Sequence, residues 1–313
     1  MTWLTWRQHR AEALAAGLFV AALGAILLTL GLPMHSSYHD GIAVCFNGAF
    51  IDPAMCSTNM ARFQQDFGYT TAVLTMLNVV PFAIGAFLGA PLLARELETG
   101  TWQLAWTQAV PRMRWLAVKL TALATLTVAL TAAAAALTTW YRQPLDVLNS
   151  RFAPAGFDVE GLAPPAYALF AFALATAAGT LMRRSLPALA AALAAFVVVR
   201  VTVETALRPR FQPPVTLTRN RFEVTNDWVL DSGFADPNGH HLSRAEFEAV
   251  SDAADAANTN LTTYLHDHGV QGWISYQPAE RFWAFQRIEA GIFLALAAIL
   301  LAMVVWRVKR RAL

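Results

Sequence analysis

The chain has 313 residues, of which 56% are hydrophobic and only 14% are charged, and its mean hydropathy is +0.42. Soluble domains carry about 25% charged residues, so this composition indicates a protein of the lipid bilayer. The formal net charge is +2, from 23 Lys and Arg against 21 Asp and Glu. This balance excludes a highly charged disordered chain and a strongly basic nucleic-acid-binding protein.

Six stretches between successive charged residues are long and apolar enough to cross a membrane, since a helix needs about 20 residues to span about 30 Å of hydrocarbon. We predict spans at about residues 13–33, 68–93, 119–141, 162–182, 185–207 and 284–306. The first apolar run is longer than the core of a signal peptide, usually about 7–15 residues, so we expect it to be retained. The expected fold class is an all-α polytopic membrane protein.

The connecting segments differ in their content of Lys and Arg. Those on the side of the two chain ends hold twelve, whereas the opposite connections hold nine, six of which lie in one long loop. Because positive residues in short loops favour the cytoplasmic side, we predict a multi-pass protein of the cell membrane with both termini in the cytoplasm.

The first external loop, at about residues 33–67, contains both cysteines of the chain, Cys45 and Cys56. They are eleven positions apart, on the side of the membrane where disulfides persist. We predict a disulfide between them, and two unpaired thiols are the alternative.

The longest external segment, an insertion at about residues 208–283, has the composition of a soluble protein. Ser243 and Glu246 form the pattern of a capping box, which predicts a helix that begins there and continues to about His266. Residues 222–230 are compatible with a short strand. We therefore expect an α-rich or mixed cap between spans five and six.

Three ionisable residues lie within predicted spans. Arg200 and Glu204 are four positions apart, so they share one helix face and can pair, and Glu289 lies near the start of span six. Ionisable groups at this depth are costly and serve a function or a buried network. We predict an intramembrane polar network that joins spans five and six, and contact with a substrate remains the alternative.

Gly85 and Gly89 form a GxxxG motif in span two. The absence of side chains at this spacing lets another helix approach closely. A contact between two copies of the chain is one use of such a motif, although it is common in apolar sequence.

The sequence lacks the motifs of the usual catalytic sites. It contains no GxxxxGK[ST], HExxH or GxSxG pattern, so it cannot bind a nucleotide through a P-loop and lacks the first residues of standard hydrolase sites. None of the seven histidines lies within a span. Four of them could meet with Asp267 in the cap as a metal site (His240, His241, His266 and His268), but we interpret these residues as solvated loop positions because their spacing fits no known metal site. We predict no metal, no cofactor and no catalytic activity of the chain itself.

The connection between spans two and three, from Arg95 to Trp115, is the most informative segment. It is charged, then amphipathic, with Leu97, Thr101 and Leu104 at helical spacing, and Pro111 ends the pattern. A simple link between two helices needs only a few polar residues. We interpret this one as a helix that lies along the membrane surface and contacts a partner.

At these residues the chain resembles the permease subunits of ABC-2 type transporters, particularly the actinobacterial ones. The matching pattern consists of acidic residues before Gly-Thr, then Leu, Pro, a basic residue and Lys, at Glu96, Glu98, Gly100, Thr101, Leu104, Pro111, Arg112 and Lys119. Residues 3–10 and 276–290 resemble the same subgroup.

The resemblance implies that this chain is the permease subunit of an ATP-driven exporter. Its coupling helix would dock on a separate ABC ATPase, which binds the ATP, and would include Arg95, Glu96, Glu98, Gly100, Thr101 and Leu104. A second permease copy would complete the unit, either as a homodimer or as a related permease, surrounded by membrane lipids. The alternative is a non-transporting membrane sensor or assembly factor whose cap binds a ligand. Neither the substrate nor the role of the insertion follows from the sequence.

Overall fold

The structure is a computed structural model that describes residues 2–46, 53–99, 112–146, 150–218 and 227–310. Of these, residues 2–6, 46, 53, 93–99, 112, 154 and 155 are described by their backbone alone. It is mostly helical and contains six helices long and apolar enough to cross a membrane. We number them spans 1 to 6, at Arg7–Cys45, Thr70–Leu92, Met113–Leu145, Ala163–Met182, Ser185–Arg210 and Ala279–Arg310. A small three-stranded sheet lies between spans 5 and 6. The predicted fold class is confirmed.

Span 1 is one long helix, Thr2–Ser37, that contains Pro33. It does not end at the proline but continues through a π-helical turn, Tyr38–Ile42, into Ala43–Phe46. A disulfide joins Cys45 to Cys56, which lies in the next helix, Pro53–Phe67. The loop end of span 1 is thus covalently tied to the helix that precedes span 2.

Span 2 is interrupted near its middle. It consists of the helices Thr70–Leu77 and Val80–Thr99, separated by a turn at Asn78 and Val79. Pro81 follows the turn, and because proline has no N–H and fits the first turn of a helix, its position suits a helix that begins again here.

The other spans are continuous apart from short irregular ends. Their helices are Arg112–Arg142 in span 3, Ala163–Met182 in span 4, Ser185–Thr202 in span 5 and Phe282–Arg310 in span 6. Span 5 ends in a π-helical turn, Val203–Leu207, and a 3-10 turn, Arg208–Arg210, and shorter turns flank spans 3, 4 and 6 at Gln143–Leu145, Pro154–Phe157 and Ala279–Arg281.

Span 4 lies at the centre of the bundle and packs against spans 2, 3, 5 and 6. Its residues are mostly apolar on all sides, with alanine the most frequent, as expected of a buried helix. Gly85 and Gly89 of span 2 face it: a Cβ at Gly89 would lie 2.5 Å from the carbonyl oxygen of Phe172. The GxxxG motif therefore serves packing within one chain, and the hypothesis of a contact between copies through this face is wrong.

The cap contains an antiparallel sheet of order β1-β3-β2. Its strands are β1 Val215–Thr218, β2 Trp228–Ala235 and β3 Gln271–Gln277. The strand predicted at residues 222–230 coincides with β2 only from Trp228 onward, and residues 222–226 lie outside the described residues. We call the end of the bundle next to this sheet the cap end.

The capping box at Ser243 and Glu246 is present, and the helix Arg244–Ala256 begins there. The expectation of one helix reaching His266 is wrong, because the chain turns at Asn258 and a second helix occupies Leu261–Asp267. Asn258 has a φ of 54°, a left-handed conformation that asparagine tolerates better than most residues, and Asn260 caps the second helix.

Candidate functional site: a buried charge network at the cap end

Five side chains from three spans and one connecting loop form a network of ion pairs and hydrogen bonds, which we call the cap-end network. Its members are Asp158 from the loop before span 4, Tyr167 of span 4, Arg200 and Arg208 of span 5, and Glu289 of span 6. The network thus joins the cap ends of three spans that are distant in sequence.

Arg208 is at the centre of this network. Its Nε and Nη2 donate to the two oxygens of Glu289 at 2.7 and 2.8 Å, and Nη2 also donates to Asp158 Oδ1 at 2.5 Å. The three side chains are at most 2% exposed. A buried guanidinium requires such compensation, because removing a charge from water costs several kcal/mol.

Arg200 completes the charge balance. Its Nη2 lies 3.0 Å from Asp158 Oδ2, and its Nη1 lies 3.3 Å from Glu289 Oε1. Its guanidinium carbon lies over the Tyr167 ring, 3.9 Å from the ring centroid. The Tyr167 hydroxyl donates to Glu289 Oε1 at 2.5 Å. Two arginines therefore face two carboxylates, so the four groups are neutral together.

Gln286, one turn before Glu289, fixes the start of span 4. Its Oε1 accepts from the backbone N–H groups of Leu162 and Ala163, and its Nε2 donates to the carbonyl oxygen of Phe157. The first N–H groups of a helix have no partner inside it, so a side chain from span 6 here satisfies two of them. Span 6 is thereby hydrogen-bonded to the backbone on both sides of Asp158.

A second group of charges lies in the same loop, between spans 3 and 4. Arg142 Nη1 donates to Glu160 Oε2 at 2.7 Å, and Arg151 Nη2 donates to Glu160 Oε1 at 2.5 Å. The Oδ1 of Asp146 lies 3.0 Å from the Nη2 of Arg142. Burial raises the pKa of Asp146, and the positive charge of Arg142 opposes that rise. These pairs hold the loop against the end of span 3.

Two of the three residues predicted for the intramembrane network belong to the cap-end network. Arg200 and Glu289 are members, whereas Glu204 is not joined to Arg200: among the described residues it has no ion-pair partner within 4 Å. Sequence reasoning missed Asp158, Tyr167 and Arg208. The sequence places Arg208 in the external loop, just after the predicted end of span 5. Its partners come close to it only through the packing of three spans, which the sequence does not reveal.

The residues predicted to dock on an ATPase lie at the opposite end of the bundle. The backbone of Arg95, Glu96 and Glu98 is helical, in the last part of the helix Val80–Thr99. Their side chains, and Gly100, Thr101 and Leu104 entirely, lie outside the described residues.

The cap histidines do not converge. The ring of His241 stacks on Trp273, and the ring of His268 stacks on Tyr264. The Nδ1 of His266 lies 3.5 Å from the Oδ1 of its neighbour Asp267. Within the described ranges, no group of three or more His, Cys, Asp and Glu side chains is placed to hold a metal ion.

Comparison with known proteins places the chain in a family. A family model described as "ABC-2 membrane transporter related" matches residues 17–208, more than half of the chain. The match covers spans 1 to 5 and ends at Arg208, the central residue of the cap-end network. No match was found among curated proteins or among solved structures. The chain is a multi-pass membrane protein that belongs to the ABC-2 membrane transporter related family.

Proposed function

We propose that the chain is the permease subunit of an ATP-driven ABC exporter, and that a separate ATPase subunit supplies the energy. The family match over residues 17–208, on a bundle with six candidate spans, carries this proposal. An ABC transporter requires an ATPase, and this sequence has no P-loop of its own. We further propose that residues 1–313 form one permease domain, with both termini in the cytoplasm and an external insertion at about 208–283.

The proposed contact with the ATPase is the segment from Arg95 to Gln108. In its support, the second helix of span 2, Val80–Thr99, continues without a break from the apolar residues of the span into this charged segment. The acidic residues Glu96 and Glu98 follow Arg95 on this extension, before Gly100. A helix that is continuous with a membrane span transmits a push at its end directly to that span.

The packing of the spans suggests how such a push would travel. Span 2 fits closely against span 4 at Gly85 and Gly89, so these two helices would move together. Tyr167 of span 4 in turn contacts Arg200 of span 5 and donates a hydrogen bond to Glu289 of span 6. Closure of two ATPase subunits would thus move the bundle as a rigid body, in a pair formed with a second copy or a related permease.

Co-purification tests the proposal. The tagged chain would be expressed with each ABC ATPase of the same genome, beginning with any encoded beside it, and purified in mild detergent. We expect one ATPase to co-purify with the unmodified chain, and Glu98→Lys or Gly100→Pro to reduce its recovery several-fold. Glu248→Lys is the matched control, because Glu248 lies in the cap and is 62% exposed.

Two results would contradict the proposal. One is that none of these ATPases co-purifies with the unmodified chain, which would favour the alternative of a membrane sensor or assembly factor. The other is equal recovery of the ATPase with the docking variants and with the Glu248→Lys control, which would refute the docking segment.

A further inference from the structure

An open crevice lies between spans 2 and 5, beside the cap-end network. Its volume is about 230 Å³, and it is lined by Asn78, Asp158, Phe196, Val197, Arg200 and Glu204, together with Val201. Val197 and Val201 are about half exposed, at 48% and 51%, so the crevice opens on the outer surface of the bundle. It combines apolar walls with a polar inner end, as ligand pockets do.

The break in span 2 lies at this crevice. The turn between Leu77 and Val80 interrupts the regular helix, although the N–H groups of its two residues donate to carbonyl oxygens three positions earlier. Breaks within membrane spans occur where a protein lines a cavity or buries the irregular backbone. Asn78 occupies the break. Its Oδ1 is buried, and within the described chain it has no hydrogen-bond partner. An orphaned acceptor of this kind is costly, which points to a donor that the chain does not supply.

The charges around the crevice include one more carboxylate than arginine. The two arginines of the cap-end network are balanced by Asp158 and Glu289, whereas Glu204 adds a third carboxylate with no ion pair among the described residues. Arg200 also lines the crevice, but its guanidinium is engaged by both network carboxylates and by the Tyr167 ring. The groups at the crevice without an ion pair or hydrogen bond among the described residues are therefore acceptors, the carboxylate of Glu204 and the buried Oδ1 of Asn78.

We propose that this crevice binds the ammonium group of a cationic amphiphile. The carboxylate of Glu204 and the Oδ1 of Asn78 accept from the ammonium, and the apolar body of the ligand lies along Phe196, Val197 and Val201. An anion would meet Glu204 without a free cation to balance it, and a fully apolar ligand would leave the Asn78 acceptor unsatisfied. A monovalent cation with an apolar body matches both halves of the crevice.

As the substrate class of an exporter, this inference rests on the proposed function, but the binding itself does not. Equilibrium binding to the purified chain requires no ATPase. Failure of the co-purification experiment would therefore leave the crevice proposal open to its own test, and failure of binding would leave ATPase docking untouched.

The test uses monodansylcadaverine, a fluorescent primary amine with an apolar body, and its N-acetylated form, which has the same body without the positive charge. The full chain would be placed in nanodiscs of uncharged phosphatidylcholine, with empty nanodiscs as the baseline. We expect saturable binding of the amine, and at least about tenfold weaker binding of the acetylated probe, because hydrogen bonds to charged groups contribute that much.

Three variants locate the site. Glu204→Gln keeps the size of the side chain and should raise the Kd of the amine at least about tenfold, with no effect on the acetylated probe. Val201→Trp fills the exposed mouth of the crevice and should abolish binding without changing any charge. Glu248→Gln, in the cap, should bind as the unmodified chain does. Gel filtration of each variant verifies that it is folded.

The proposal is overturned if the unmodified chain does not bind the amine saturably, or if the acetylated probe binds as tightly. It is also overturned if Val201→Trp, which leaves every charged residue in place, binds the amine with unchanged affinity. Unchanged affinity in a folded Glu204→Gln variant has the same consequence.

Discussion

Replacing Arg208 by methionine is the most demanding test of the cap-end network. The change removes three hydrogen bonds and leaves Asp158 and Glu289 buried, with Arg200 as their only cationic partner among the described residues. Removing one partner of a buried ion pair costs about 3–5 kcal/mol, chiefly because an uncompensated charge stays behind. We therefore expect the free energy of unfolding of Arg208→Met to fall by ~3–5 kcal/mol, measured by titration with sodium dodecyl sulfate in mixed micelles.

The double variant Arg208→Met with Glu289→Gln separates charge balance from lost contacts. It leaves one arginine facing one carboxylate, so the net charge of the network returns to zero. We expect the two changes together to cost less than the sum of each alone, with an interaction of about 2 kcal/mol. Arg244→Gln breaks an ion pair with Glu248 in which Arg244 is 93% exposed, and this control should cost under about 0.5 kcal/mol.

The charge-network argument is refuted if Arg208→Met costs no more than Arg244→Gln. Strict additivity of Arg208→Met and Glu289→Gln would refute the balance of charges in particular, since two independent losses would then explain the data.

Three further predictions concern other parts of the chain. Gly89→Val should lower the free energy of unfolding by ~1–3 kcal/mol or more, because the added side chain overpacks against span 4. Gly17 has open space around it, so Gly17→Val should lower the free energy of unfolding by less. Equal losses of stability in the two variants would contradict this packing. Replacing Cys45 and Cys56 by serine should cost roughly 3 kcal/mol in oxidising buffer, and added reductant should abolish the difference from the unmodified chain. Hydrogen bonds from Ser243 lower the pKa of Glu246. The stabilisation of the helix by this cap is therefore fully present at pH values above the ordinary pKa of glutamate, and it is lost as the pH falls through the lowered pKa. Hydrogen exchange of residues 244–256, corrected for intrinsic rates, should show this loss, and Glu246→Gln should remove the pH dependence.

The six spans could be predicted from sequence because each depends on a local property, a run of about 20 apolar residues. The capping box at Ser243 was equally local, since a helix start is set by side chains three positions apart. The end of that helix was missed because Asn258 takes a left-handed conformation, and an asparagine in a polar run gives no strong signal of such a turn.

The cap-end network could be predicted only in part, for a different reason. Arg200 and Glu289 lie inside apolar runs, where a charge is conspicuous. Arg208 follows the predicted end of span 5, and its partners Asp158 and Glu289 are 50 and 81 positions away. Which charges are buried depends on how the helices pack, and that is a property of the whole bundle. The helix that Gly85 and Gly89 contact could not be predicted for the same reason, since a GxxxG motif does not say which helix it meets.

Site-specific photocrosslinking tests the central claim, that this chain works with an ABC ATPase through the segment from Arg95 to Gln108. The photoreactive amino acid p-benzoylphenylalanine would replace Leu104 in that segment or, as a control, Phe247 in the cap, and both variants would be irradiated in membranes that contain the ATPase. We predict a covalent adduct with the ATPase from position 104 and none from position 247. An adduct from position 247 alone, or from neither position while the ATPase co-purifies, would contradict docking at this segment.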